Sequence, residues 1–233
     1  MRPQTILRAG AAIAPCALLA GVATAFAAAP EPAHPATQRA TARSGPVATT
    51  AAARPAAGDV AIARQRLNVV SGRRALVTGH VGGTPSGRAV ALQRRAGGGW
   101  RTIDRDRTRA GGAFAFDFRP REAGSAMVRV RSGAARERVG RLNVFRRAQA
   151  SWYGPGLYGN KLGCGGRLTP GRLGVAHKSL PCGAKVTLRK GKRSVNVRVI
   201  DRGPYVGGRE FDLTEATAHR LRFHGHGAIL TTR

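Results

Sequence analysis

The run Lys185-Val186-Thr187-Leu188-Arg189-Lys190-Gly191-Lys192-Arg193-Ser194-Val195-Asn196-Val197-Arg198-Val199-Ile200-Asp201-Arg202-Gly203-Pro204-Tyr205 decides how this chain is read. Apolar and polar residues alternate from Lys185 to Arg189 and again from Ser194 to Ile200, the period-two pattern of strands with one buried face. Lys190-Gly191-Lys192-Arg193 predicts a hairpin turn between them. The second strand delivers Asp201 to an Arg-Gly-Pro stop. A carboxylate therefore stands at a strand edge, beside residues that permit close approach of a bulky ligand.

Just upstream lies a second island, Ala176-His177-Lys178-Ser179-Leu180-Pro181-Cys182-Gly183, which joins an imidazole to turn residues. An imidazole and a carboxylate so placed are candidates for acid–base chemistry in a cleft. Downstream, Asp212-Leu213-Thr214-Glu215 matches an acidic capping box, with Asp212 at the N-cap and Glu215 three residues on. It predicts a helix from about Leu213 to Leu221, ended by Gly225, and then a last strand at Ala228–Thr231. Residues 150–233 thus read as one small β-rich domain.

The preceding segment, 59–146, reads as short strands between glycine-rich turns. Ala75–Val81, Arg88–Arg94, Trp100–Ile103, Ala113–Phe118, Ala126–Arg131 and Arg141–Phe145 carry the strand patterns. Their rhythm suggests an immunoglobulin-like β-sandwich, so the fold class is all-β in both parts. Asp104, Asp106 and Asp117 are lone acids among arginines there, and the segment reads as a spacer or binding module.

Before it, residues 30–58 are rich in Ala, Pro, Thr and Arg without apolar period, as in a flexible linker. Residues 1–29 read as an export signal. Arg2 and Arg8 precede an uncharged apolar run, and Ala25-Phe26-Ala27 and Ala27-Ala28-Ala29 both suit cleavage. An uncleaved membrane anchor is the alternative. A lipid anchor on Cys16 is disfavoured by Pro15 and by the apolar run continuing past it. The protein is read as secreted into the cell envelope, where a Cys164–Cys182 disulfide is favoured.

Lys and Arg number 40 against 11 Asp and Glu, a formal net charge of +29. Such a field attracts polyanions, either nucleic acid or an anionic cell wall, or it is simply a solvated surface. The arginines are scattered and no zinc-finger, RNA-recognition or helix-turn-helix signature appears, so no specific nucleic-acid partner is expected. The chain is read as a monomer without cofactor.

Ala150-Ser151-Trp152-Tyr153-Gly154, Ala176-His177-Lys178-Ser179-Leu180-Pro181, Val199-Ile200-Asp201-Arg202-Gly203-Pro204-Tyr205 and Phe211-Asp212-Leu213-Thr214 follow one another in that order. Together they resemble the double-psi β-barrel domain of rare lipoprotein A (RlpA-like) proteins, kin to expansins and barwin. The resemblance covers the last third of the chain. It implies a six-stranded barrel with a shallow polysaccharide groove and, in some members, lytic transglycosylase activity on peptidoglycan glycan strands. It carries catalytic importance to His177 and Asp201 and, from expansins, to Asp212.

Glycoside cleavage needs an acid that protonates the departing oxygen. In a transglycosylase the muramic C6 hydroxyl closes onto C1, giving a 1,6-anhydro sugar. Asp201 is the candidate acid and then base, its pKa raised by burial or by Asp212. His177 would orient the substrate or Asp201, and the two are expected to meet at one open, sugar-sized trough. Trp152, Tyr153, Arg202 and Tyr205 are candidate substrate contacts.

Each assignment has a structural counterpart. Asp201 would bond turn amides, Asp212 would cap the helix, His177 would brace a turn, and Trp152 and Tyr153 would fill the barrel seam. His219, His224 and His226 lack the spacing of a metal site, and none is assigned. Two departures from the family stand out. Leu162-Gly163-Cys164-Gly165 replaces a first-loop motif that carries Thr in many members, and the peptidoglycan-binding SPOR module common among them is absent after the barrel. A non-catalytic, expansin-like wall-binding protein is therefore the alternative to a transglycosylase.

Overall fold

Alternating sequence becomes β-sheet across residues 56–233, which the computed structural model describes. The export signal, Cys16 and most of the linker lie outside the described residues. Eight strands come first: β1 (Val60–Arg66), β2 (Asn68–Val70), β3 (Ala75–Val81), β4 (Ala89–Ala96), β5 (Gly99–Arg107), β6 (Ala113–Phe118), β7 (Gly124–Ser132) and β8 (Ala135–Tyr153). β9 (Val175–His177), β10 (Lys185–Lys190), β11 (Arg193–Asp201), β12 (Phe211–Thr214), helix α1 (Glu215–Leu221) and β13 (Gly227–Thr231) follow. Among the described residues no helix is long and apolar enough to cross a membrane.

In the first half, β1-β3-β6 form one antiparallel sheet, and β2, β8, β7, β4 and β5 lie side by side in a second. Alternate residues of both sheets meet in a single core. Val77 and Val81 of β3 and Phe114 and Phe116 of β6 pack with Leu92, Val128, Val130 and Val144 from the other sheet. Each such side chain, fully buried, contributes about 1.5–3 kcal/mol. Gly79 lets β1 approach this core, because a Cβ there would collide with the Ala61 carbonyl and the Phe114 ring.

The second half closes on itself. The end of β8 pairs with β13, β13 with β10, β10 with β11, β11 with β9, β9 with β12, and β12 returns to β8. Two of the six pairings, β12–β8 and β11–β9, are parallel and the others antiparallel. The result is a closed six-stranded barrel, a geometry that leaves no free sheet edge. Its interior holds Ala150, Val175, Val186, Leu188, Val197, Val199, Phe211 and Leu213.

The helix is shorter than the capping-box pattern predicts. Asp212 lies inside β12, and Thr214 is the N-cap, its hydroxyl accepting from the Thr217 N–H at 3.4 Å. Pairing of Phe211–Leu213 on both sides, with β8 and with β9, and of Thr214 with β8 holds these residues extended and moves the cap two positions on. Helix α1 ends at Leu221, with Arg222 rather than Gly225 in the left-handed conformation that closes it.

Cys164 and Cys182 form a disulfide with their Cα atoms 5.5 Å apart, 18 residues apart in sequence. Cys164 N–H donates to Ile200 O and Gly183 N–H to Val199 O, so both ends of the bridge are fastened to the end of β11. In the chain-entropy model a loop of this length is worth about 3 kcal/mol. A Cys164→Ser/Cys182→Ser variant is expected to lose about that much in a denaturant titration. A loss below ~0.5 kcal/mol would show that the remaining contacts already hold the loop.

Candidate active site

Register across the barrel wall places the polar residues. Ser151 of β8 pairs with Asp212 of β12, Asp212 with Ala176 of β9, and Ala176 with Asp201 of β11. Residues paired in register point to the same face of a sheet, and their neighbours to the other. Leu213 and Val175 point into the core, so Asp212 and Ala176 point outward. Val199 also points inward, and regular alternation would carry Asp201 inward with it. A register irregularity between Val199 and Asp201 re-aims Asp201 to the outer face.

Asp201 is tied down there. Its Oδ1 accepts the Gly163 N–H at 2.7 Å and its neighbour Arg202's N–H at 2.8 Å. Gly163 is needed for this approach, since an added Cβ would lie 2.9 Å from Arg202 Cγ and 3.1 Å from Arg202 N. Asp212 Oδ1 accepts the Ser151 hydroxyl at 2.8 Å. Burial pushes the Asp212 carboxyl above the ordinary range, and the charge of Asp201 adds to this, while Ser151 and Arg209 oppose it.

Tyr153, two residues after Ser151, shares that outer face. Its buried hydroxyl makes no well-aligned hydrogen bond. Burial first, then the nearby Asp201 carboxylate and a poorly aligned contact to it, hold the phenol well above its usual range, with Asp212 adding and Arg172 opposing. One outer patch thus collects two carboxyl groups and a phenol.

His177 lies elsewhere, contrary to the expectation that it meets Asp201 in one trough. It pairs with Phe211 and shares the inward-facing side of the wall, its ring 4.8 Å from the Phe211 ring. The residue is only 8% exposed. Nδ1 accepts the N–H groups of Ser179 and Leu180 at 3.1 and 3.0 Å, which braces the turn after β9. Nε2 sits 3.6 Å from Glu210, whose carboxylate also pairs with Arg146. Burial lowers the imidazole's pKa, and Arg146 and Arg202 assist, against a raising effect of Glu210.

Of the candidate substrate contacts, Arg202 is engaged internally. Its guanidinium donates to His177 O at 3.2 Å, Leu180 O at 2.9 Å and Cys182 Sγ at 3.0 Å, and so turns away from the Asp201 carboxyl. Trp152 packs on the barrel core. Tyr205, on the loop after Asp201, is 83% exposed. Ser151, Gly163 and Glu210 were not singled out by sequence. Period-two alternation around Trp152 and Asp212 marks faces, but only the strand pairing shows which faces coincide.

The His177 bonds dictate a pH response. The folded state favours neutral imidazole, whose Nδ1 can accept two amides. The stability this gives is complete above the ordinary histidine pKa of about 6.5 and is lost as pH falls through it toward the lower folded value. The thermal midpoint of wild type is expected to drop between pH 7.5 and 5.5. Asn at position 177 offers an acceptor that does not titrate, so His177→Asn should flatten that drop. A variant that keeps the full wild-type slope would remove His177 as its source.

The sequence model of a family described as lytic transglycolase matches residues 146–231. Curated relatives match the same chain in part. An endolytic peptidoglycan transglycosylase RlpA from Campylobacter jejuni is 45% identical over 74 residues, 31% of this chain and 27% of the relative. One of that name from Neisseria meningitidis is 42% identical over 80 residues, 34% of each chain. Another from Rickettsia felis is 40% identical over 83 residues, 34% of this chain and 36% of the relative. The chain therefore spans about a third of the length of the relatives it matches. With the closed barrel and its two parallel pairings, these matches identify residues 146–231 as an RlpA-like double-psi β-barrel domain.

Proposed function

We propose that the barrel cleaves peptidoglycan glycan strands by lytic transglycosylase chemistry in the cell envelope, with Asp212 and Asp201 sharing the acid–base work. The observation that carries this reading is the pair of carboxyl groups on one outer face, one of them pushed above the ordinary range by burial. A raised carboxyl pKa is the direction that suits a proton donor to a departing glycosidic oxygen.

In the reaction Asp212 gives its proton to the leaving oxygen as the C1–O bond breaks. The C6 hydroxyl of the muramic residue attacks C1 and passes its proton to Asp201. One C–O bond breaks, one forms, no water is consumed, and the proton returns from Asp201 to Asp212 to close the cycle. The Gly163 and Arg202 amides fix Asp201 for this step. Tyr153 lies beside both carboxyls and bounds the site. His177 acts as a positioning residue. It braces the 178–181 turn, the turn carbonyls hold the Arg202 guanidinium, and the Arg202 amide holds Asp201.

We read residues 59–146 as an immunoglobulin-like module and 150–233 as the catalytic unit, with the boundary inside β8. The sheet orders β1-β3-β6 and β2-β8-β7-β4-β5, with β2 parallel to β8, support that reading. The expansin-like alternative also has an observation in its favour. Asp201 already satisfies two backbone amides, as a purely structural turn aspartate does.

Denuded glycan strands separate the two. Wild type is expected to release products ending in 1,6-anhydro-muramic acid, detected by mass spectrometry. Asp201→Asn and Asp212→Asn should each lower the rate by a factor on the order of 100 or more. Binding to the strands without anhydro product from wild type would establish the expansin-like reading instead. Cleavage by Asp201→Asn at the wild-type rate would exclude Asp201 from catalysis.

A further inference from the structure

Away from the carboxyl patch, two concavities of about 370 and 280 Å³ adjoin where the sandwich meets the barrel. They share Val70, Arg73 and Arg189, so they form one continuous trough. Its walls come from both halves of the protein. Arg66, Arg73 and Arg119 belong to the sandwich, and Arg147, Arg189 and Lys190 to the β8–β13–β10 side of the barrel. The other three strands of the ring are β11, β9 and β12, and the two carboxyls stand on β11 and β12.

Among the described residues none of these six cations makes an ion pair. Arg74 on the same wall is held by Asp117, an acid that also feels Arg66 and Arg119. Two of the six are braced from below. Arg189 stacks over the Phe145 ring at 5.9 Å and donates to Gly191 O, and Lys190 lies 4.6 Å above the Phe223 ring. Unpaired like charges gathered along a cleft raise a concentrated positive potential that an anion relieves.

We propose that this trough binds a linear phosphodiester glycopolymer of the cell wall, a poly(alditol phosphate) chain running from sandwich to barrel. The six cations are spread over two adjoining concavities, which suits a chain rather than a compact anion. Guanidinium groups match phosphate oxygens in a two-pronged geometry. No aromatic side chain lines either concavity, so the trough lacks the stacking platforms on which single-stranded nucleic acid relies. The site does not depend on the glycan-cleaving reading. It would hold the protein on the wall whichever chemistry the carboxyl patch performs.

The test is binding of purified protein to poly(glycerol phosphate) across a salt series, beside a single-stranded DNA of equal charge. Arg73, Arg119 and Arg147 are exposed, so Arg73→Gln/Arg119→Gln/Arg147→Gln leaves the folded core intact. That variant is expected to bind the polymer at least about tenfold more weakly. Its plot of log affinity against log salt should be shallower by about 2, for three lost phosphate contacts at ~0.7 each. A control triple at exposed arginines outside the trough, Arg136→Gln/Arg138→Gln/Arg220→Gln, should stay within about twofold of wild type. Equal weakening by the control triple, DNA binding as tight as polymer binding, or no polymer binding by wild type would each overturn the proposal. Anhydro-product release from glycan strands, measured in parallel, reports on the carboxyl patch alone and should be unchanged in both triples.

Discussion

Parallel hydrogen bonding between Phe211–Thr214 and Ala150–Tyr153 is the contact on which the barrel depends. It closes the ring of six strands, and it sets Ser151 opposite Asp212 rather than opposite a neighbour. Because side chains alternate along a strand, a slip of one residue would send Asp212 into the apolar interior and Leu213 to the surface. Burying Phe211 and Leu213, both fully enclosed, therefore fixes the chemistry of the outer face as well as the core. The same pairing takes Asp212 away from the helix cap and leaves its carboxyl to Ser151.

A second constraint acts on Asp201. The disulfide, the Gly163 amide and the Arg202 guanidinium converge on the end of β11, where an irregularity has turned the carboxyl outward. His177 contributes from the inner side, through the turn that it braces. Its Nδ1 accepts the Ser179 and Leu180 amides, Leu180 O accepts from the Arg202 guanidinium, and the Arg202 amide donates to Asp201. Strand β8 links the halves, because its 19 residues run without a break from the second sheet of the first half into the barrel wall.

Much of this was legible in the residues. The alternation of Lys185–Ile200 and the Lys190–Arg193 turn correspond to β10, β11 and their hairpin, and the cysteine pairing is as expected. The order of four short motifs pointed to the barrel. What the sequence could not supply was register between segments far apart in the chain. Asp212 followed by Glu215 looks like a capping box locally, yet sheet pairing on both flanks overrides that preference. His177 and Asp201 look like partners because both stand at strand ends, yet adjacent strands turn them to opposite faces. Trp152 looks like a sugar platform, yet its position in the alternation faces the core. β1 and β2 were missed because Val60–Arg66 becomes polar toward its end and Asn68–Val70 is only three residues long.

The central claim is that the fold places the Asp201 and Asp212 carboxyls on one face, close enough to influence each other. Titration of the carboxyl carbons of both residues by NMR, in wild type and in Asp201→Asn, tests it most directly. The account predicts that Asp212 titrates above the ordinary aspartate range in wild type and shifts downward when the charge at position 201 is removed. An Asp212 midpoint in the ordinary range, or one that does not move in the variant, would contradict it.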